Sequence, residues 1–257
     1  MAAGLPEALL TGGPPSCGRV RPPRATPLVG RKVEVVEMSV LQPVVPMLSL
    51  PSVVLFPHSL LDLKLTADHL TYATGEWLAE GALWGIATLR GDATDAQLGS
   101  EPGTVFRTVG IGCIVHRERN DGYIRRLVLE GLVRGRILDE SDTTGAPAVQ
   151  VEILRDHVNV EGARRRDLAQ VFADMVRAAR QVATDQPELR DAVRRILSAH
   201  PHPGVVADLL AHRCITDIYA KQSILAELDV CRRIRLVHAQ LAGMVSHRTL
   251  FPLRRFR

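Results

Sequence analysis

The sequence predicts an α+β protein in which a β-rich half, residues 44–158, precedes an all-helical half, residues 159–246. Three observations predict it. The stretch Val109–Ile137, VGIGCIVHRERNDGYIRRLVLEGLVRGRI, places two runs rich in Val, Ile and Leu around Asn120-Asp121-Gly122, a strong short-range hairpin signal. Alternating apolar residues recur on both sides of it, from Val44 to Ile153. After Arg155 the apolar spacing changes to a helical period of about 3.6 residues and stays there.

In chain order, residues 1–43 contain Gly12-Gly13-Pro14-Pro15 and Arg21-Pro22-Pro23-Arg24 with no sustained apolar period. They bury too little surface to offset ordering entropy, so a disordered tail is expected, open to reading as a flexible basic arm, a targeting peptide or, slightly favoured, an upstream extension of the frame before Met38 or Met47. From Val44, VVPMLSLPSVVLFPHSLLDLKL predicts a strand, a turn at Pro51 and an apolar loop closed by Phe56-Pro57. A second strand follows, with Leu61, Leu63 and Leu65 on one face. Asp68 is placed to cap a helix carrying Leu70, Ala73, Trp77 and Leu78. Leu83–Leu89 predicts a short apolar strand and Gly91–Thr104 a polar loop. Within the hairpin, Ile111, Cys113 and Val115 alternate with Gly112, Ile114 and His116; Cys113 reads as a small core residue and Gly131 as a bend. Ser141–Pro147 predicts a loop, and Val149, Val151 and Ile153 a last half-buried strand. Two strands alone are marginal in water, so these strands are expected to close on one another as barrel-like structure.

The helical half begins with one face traced by Leu168, Val171, Phe172, Met175, Val176 and Ala179. Leu189, Val193, Ile196 and Leu197 trace a second helix after Pro187 at an N1-like position. His200-Pro201-His202-Pro203-Gly204 separates it from a third, with Val206, Leu209, Leu210 and Cys214. Ile224, Leu225 and Leu228 predict a shorter helix, and Asp229 caps a last one with Ile234, Val237, Leu241 and Val245. The joint between the halves is expected near Arg155–Arg166, and residues 247–257 read as a basic tail.

Composition narrows the function. With 46% apolar residues the chain can build an ordinary core, and no run approaches the length of a membrane span. The start MAAGLPEALLTGG lacks a basic n-region and a long apolar core, so a cytoplasmic location is expected. Cys17, Cys113, Cys214 and Cys231 lie far apart, which argues against zinc and suits a reducing compartment. A net charge of +4 and 4% aromatic residues are both low for a dedicated single-strand nucleic-acid binder. No phosphate-cradling, nucleophile-elbow, zincin or dinucleotide signature is present, so no catalytic residues, cofactor or metal are expected. His200, His202 and His212 read as exposed imidazoles around a helix break. Glu118 and Glu130 read as strand-end charges on the hairpin arms. Arg164-Arg165-Arg166 ahead of the first helix, and Arg232-Arg233 with Arg235 early in the last, read as solvated basic runs.

Several segments together resemble one family, the Lon protease N-terminal or substrate-binding domain in its stand-alone form. They are Pro46-Met47-Leu48-Ser49-Leu50, the loop Val53-Val54-Leu55-Phe56-Pro57, the Val109-Gly110 step and the Asp121-Gly122 turn. Leu127-Val128-Leu129-Glu130-Gly131-Leu132-Val133-Arg134 is similar to the family's V-x-x-x-G-x-x-R, and Pro203–Ala211 (PGVVADLLA) to its P-G-x-x-A-D-x-x-A. Lys221–Val230 (KQSILAELDV) resembles its K-Q-x-L-L-E-x-x-D-V, with Arg233 near the usual Arg. The likeness runs from about Pro46 to Val245. It departs at Asp62-Leu63 for Pro-Leu, at Pro57-His58 for Pro-Gly, and at Ala67 for a common Arg.

The resemblance implies a PUA-like β-barrel followed by a C-terminal helical bundle. It implies recognition of unfolded or degron-bearing polypeptides, with an ATP-dependent protease as a further partner and without ATPase or Ser-Lys protease modules. Two binding surfaces are expected in consequence. One is apolar, at Val53, Val54 and Phe56; against it stands the reading that Val54 and Phe56 plug the barrel. The other, for RNA phosphates, is Arg125, Arg126, Arg134 and Arg136.

Overall fold

The computed structural model describes residues 42–64, 78–89, 105–120, 123–143, 146–158, 162–200 and 202–250. The expected tails, the helix begun at Asp68 and the loop Gly91–Thr104 lie outside the described residues, apart from Leu78 of that helix, Gln42 and Pro43 at the end of the first tail, and residues 247–250 in the last helix. Six strands come first: β1 (Val44–Leu50), β2 (Leu60–Lys64), β3 (Leu83–Thr88), β4 (Thr108–Asn120), β5 (Tyr123–Thr143) and β6 (Ala146–Leu154). Five helices follow: α1 (Gly162–Asp185), α2 (Pro187–Ala199), α3 (Pro203–Cys214), α4 (Ile218–Ala226) and α5 (Val230–Leu250). Strands before helices is the α+β order that the change of period predicts.

The sheet order is β2-β5-β4-β3-β1-β6, and β6 also pairs with β5. The 21-residue β5 makes this arrangement possible. One edge of β5 carries β4, from Asn120↔Tyr123 to Thr108↔Arg136. The other edge carries β2 over 126–130 and then β6 from Arg134↔Leu154 to Thr143↔Ala146. β1 sits between β3, in parallel, and β6, antiparallel. One expectation changes here. Most of Ser141–Pro147 is strand, since Ser141↔Ala148 and Asp142↔Pro147 are paired within the β5–β6 hairpin. Gly131 lies inside β5 beside a register shift, Ile111↔Val133 followed by Gly112↔Gly131, so the expected bend falls at a bulge within the strand.

Alternation puts apolar side chains on both faces of the strands. Val45, Met47, Val109, Ile111, Ile137, Val149 and Val151 form one cluster. Leu48, Leu50, Trp84, Ile86, Ile114, Leu127 and Leu129 form another. Ile111 and Ile114, three residues apart in β4, fall in different clusters by alternation. Cys113 is only half-buried, opposite Glu130, and is not a core residue.

The helices pack around Met175, Ala179, Val193, Leu210, Ile224, Ile234 and Val237. Pro187 and Pro203 open α2 and α3, where a missing N–H costs nothing. Asp217 caps α4 through Ala220 N (2.7 Å), and Asp229 caps α5 through Cys231 N (2.8 Å) and Arg232 N (3.1 Å). α4 ends at Ala226, before the expected Leu228. α1 begins at Gly162, so Arg164-Arg165-Arg166 lies within it rather than ahead of it. The expected joint is tied down at its start: His157 N donates to Leu228 O (3.0 Å) and Val230 N to His157 O (3.1 Å).

Candidate binding surface

The Pro/Phe loop is the first place to look for an apolar surface, and the structure places it inside. Val54, Leu55 and Phe56 are all buried; Val53 alone is partly open. Leu55 enters the strand cluster, while Val54 and Phe56 enter the helical cluster. The loop is held by backbone bonds, His58 N to Gly131 O (2.8 Å) and Gly131 N to Ser59 O (2.9 Å), and by the Thr88 hydroxyl donating to Val53 O (2.6 Å). Val54 and Phe56 are therefore interior residues that join the two halves, and Val53 is the partly open residue of the loop.

Residue 58 explains one departure from the family pattern. Phe56-Pro57-His58-Ser59 is a tight turn closed by Ser59 N to Phe56 O (3.2 Å), with Pro57 at its second position. His58, at the third, has φ 63. That left-handed conformation suits Gly and costs an L-residue about 1–2 kcal/mol. Replacing the exposed imidazole by Gly relieves that strain against a smaller entropic loss. His58→Gly is expected to raise the urea midpoint by the equivalent of about 0.5 kcal/mol.

The arginines expected to meet phosphates are engaged. Arg126 binds Asp62 through two hydrogen bonds, Nε to Oδ1 (2.8 Å) and Nη2 to Oδ2 (2.6 Å), and the guanidinium holds the Asp62 carboxyl below its usual range. Arg136 Nη1 lies 3.4 Å from Glu152 Oε2. The side chain of Arg125 lies outside the described residues. Arg134 is 3% exposed and faces inward. With carboxylates on all three described members, this set offers no unpaired charge to a phosphate backbone.

Arg134 belongs instead to a cluster of four charges, three of them buried. Its Nη2 donates to Asp208 Oδ1 (2.6 Å), its Nη1 lies 3.3 Å from Asp156 Oδ1, and its Nε donates to Leu225 O (3.0 Å). Arg233, expected to be solvated, is fully buried. Its Nη1 donates to Asp156 Oδ1 (2.8 Å) and Glu227 O (2.9 Å), and its Nη2 to Asp156 Oδ2. Arg233 Nε is 3.2 Å from Asp208 Oδ1 but forms no hydrogen bond there. Burial pushes the Asp208 carboxyl upward, opposed by Arg134 and Arg233. Two cations and two anions thus link β5, the end of β6, α3 and α5. The arginine of V-x-x-x-G-x-x-R, the aspartate of P-G-x-x-A-D-x-x-A and the arginine after D-V meet in one place. Gln222, from the K-Q motif, is also buried and donates to Thr108 O, joining α4 to β4.

Cys214 is buried and its thiol is pushed up to about 11, which makes it inert. His200 is half-buried and His202 exposed. Among the described residues no group of three or more His, Cys, Asp or Glu is arranged to hold a metal ion. His212 is mostly buried with Nδ1 unpartnered, and burial lowers its pKa to about 4. The folded state thus holds a neutral imidazole that the unfolded chain protonates near pH 6.5. Stability should be complete above that pH and fall as pH drops toward 4, by about 2–3 kcal/mol between pH 7 and 4.5. Urea melts of the parent and His212→Gln at both pH values should show a smaller loss in the variant.

One open cavity of about 420 Å³ lies between α1 and α2. Its floor is Ala183, Val193 and Leu197, and Arg180, Arg190 and Arg194 stand around it. Arg194 pairs with Asp191 (3.0 Å), both highly exposed; Arg180 and Arg190 have no carboxylate partner among the described residues. These arginines escape sequence reading because they sit at ordinary solvent-face positions. Only Arg190 and Arg194, four apart, are neighbours along one helix, and packing of α1 on α2 brings Arg180 to them.

The profile of the family described as the ATP-dependent protease La (LON) substrate-binding domain matches residues 44–243. Lon protease 2 of Myxococcus xanthus is 27% identical over 198 residues, covering 76% of this chain and 23% of that protein. Lon protease of Roseiflexus castenholzii is 28% identical over 198 residues, again with 76% and 23% covered. The chain therefore spans about a quarter of the length of these relatives. Among solved structures, the N-terminal domain of Mycobacterium avium complex Lon protease superposes with a TM-score of 0.58 at 17% identity, covering 78% of this chain and 98% of that one.

Proposed function

We propose, starting from the fact that this chain belongs to the ATP-dependent protease La (LON) substrate-binding domain family, that it captures unfolded or degron-bearing polypeptides in the cytoplasm as an adaptor or holdase. The observation that carries the reading is the extent of the match. Residues 44–243 include every described strand and all but the end of α5, whereas only 23% of the Lon relatives is involved. What is shared is thus the recognition part. On this reading the circuit of pairings β5-β4-β3-β1-β6-β5 is a PUA-like barrel, with β2 appended to the long strand. The protein binds without catalysis and delivers its cargo to an ATP-dependent protease.

The test uses one polypeptide in two states. Immobilised protein should retain reduced, carboxymethylated α-lactalbumin and let native α-lactalbumin pass. Equal passage of both forms would overturn the reading.

A further inference from the structure

The cavity between α1 and α2 joins an apolar floor to a basic rim. Its floor is apolar, while two of the three guanidiniums around it lack a carboxylate partner among the described residues. The volume, about 420 Å³, is near the lower end of ligand-sized pockets, enough for a short stretch of chain with one large side chain. A bare phosphate would find cations but nothing to cover Leu197, the partly open residue of the floor. An uncharged apolar segment would cover the floor and leave Arg180 and Arg190 beside it without counter-ions.

We infer that this cavity seats a polypeptide segment in which an apolar residue is flanked by carboxylates. The inference rests on the reading that the chain captures polypeptides, and it names the class of segment preferred. The apolar side chain lies on Ala183, Val193 and Leu197, and the flanking Asp or Glu side chains accept from Arg180 and Arg190. Guanidinium donates to carboxylate in a planar two-bond fork, which adds direction to the charge attraction. A basic segment meets like charge on entry, so the rim discriminates as well as attracts.

Three fluorescent decapeptides of equal length test it by anisotropy: one with Leu and Phe flanked by Asp and Glu, one with Lys in place of every acid, and one with Ser in place of Leu and Phe. The first should bind at least tenfold more tightly than either of the others. The double variant Arg180→Glu/Arg190→Glu should lose at least tenfold for the first peptide and bind the lysine peptide better than the parent does. That reversal cannot come from misfolding, and an unchanged thermal melt accompanies it. Equal affinity for acidic and basic peptides, an unaffected double variant, or a serine peptide that binds as well as the first would each overturn the inference. If carboxymethylated α-lactalbumin is still retained in such a case, the general reading stands and only this site falls; if it too passes through, both fall.

Discussion

Asp208→Ala is expected to remove about 3–5 kcal/mol of stability, a large part of the roughly 5–15 kcal/mol that holds a domain together. The carboxylate is 2% exposed and touches two guanidiniums, Arg134 at 2.6 Å and Arg233 at 3.2 Å. Without it, two buried cations share Asp156, whose side chain is 36% exposed. The loss is not the worth of the original pair, because burying those charges already costs several kcal/mol. It is the cost of leaving a cation in the interior with half its compensation gone. Replacing Arg134, Asp208 and Arg233 together by apolar residues of similar size should therefore cost much less than Asp208→Ala alone. Urea unfolding of the three proteins decides between these accounts. If the single and triple variants lose equal stability, the cluster acts by packing and not by charge.

Gly131→Ala should be nearly as damaging, by about 3–5 kcal/mol. A Cβ at this position would stand 2.0 Å from the Phe56 carbonyl oxygen, and the obstacle is backbone, which cannot rotate away. Either β5 or the loop must shift, which strains the packing by about 1–3 kcal/mol and breaks the two bonds to His58 and Ser59, each worth about 1 kcal/mol. Gly243→Ala makes the control: nothing lies within 4 Å of its added methyl, so this helix position should gain up to about 1 kcal/mol. Opposite shifts in midpoint for the two Gly→Ala changes would show that contact, and not glycine content, sets the effect.

The strands and helices are legible because each writes a period into the sequence. Val149, Val151 and Val45, Met47 alternate, and α2 and α3 start at prolines. The β5–β6 hairpin is not legible, since Ser141–Pro147 is polar and carries a Gly and a Pro, yet pairing with the partner strand overrides those local signals. Arg233 misleads for a related reason. A basic run looks solvated until Asp156 and Asp208, distant in sequence, are brought to it. The family motifs identify the fold through residues that hold it together, so they cannot reveal a surface. The rim of the α1–α2 cavity comes from two helices and belongs to none of those motifs.

β1 has a consequence for how the protein is made. Val45 pairs with Val149 and Leu48 with Ile86, so the first described strand to leave the ribosome waits for the last one before its second edge is covered. At about 5–20 residues per second, some five to twenty seconds pass between the two. During that interval Val45, Met47 and Leu48 belong to an apolar strand with an open edge, the feature most prone to pair with another chain. Nascent protein is thus itself an exposed apolar polypeptide until β6 is synthesised. Slowing translation before Ala146 should raise the aggregated fraction, while the folded product keeps the same stability.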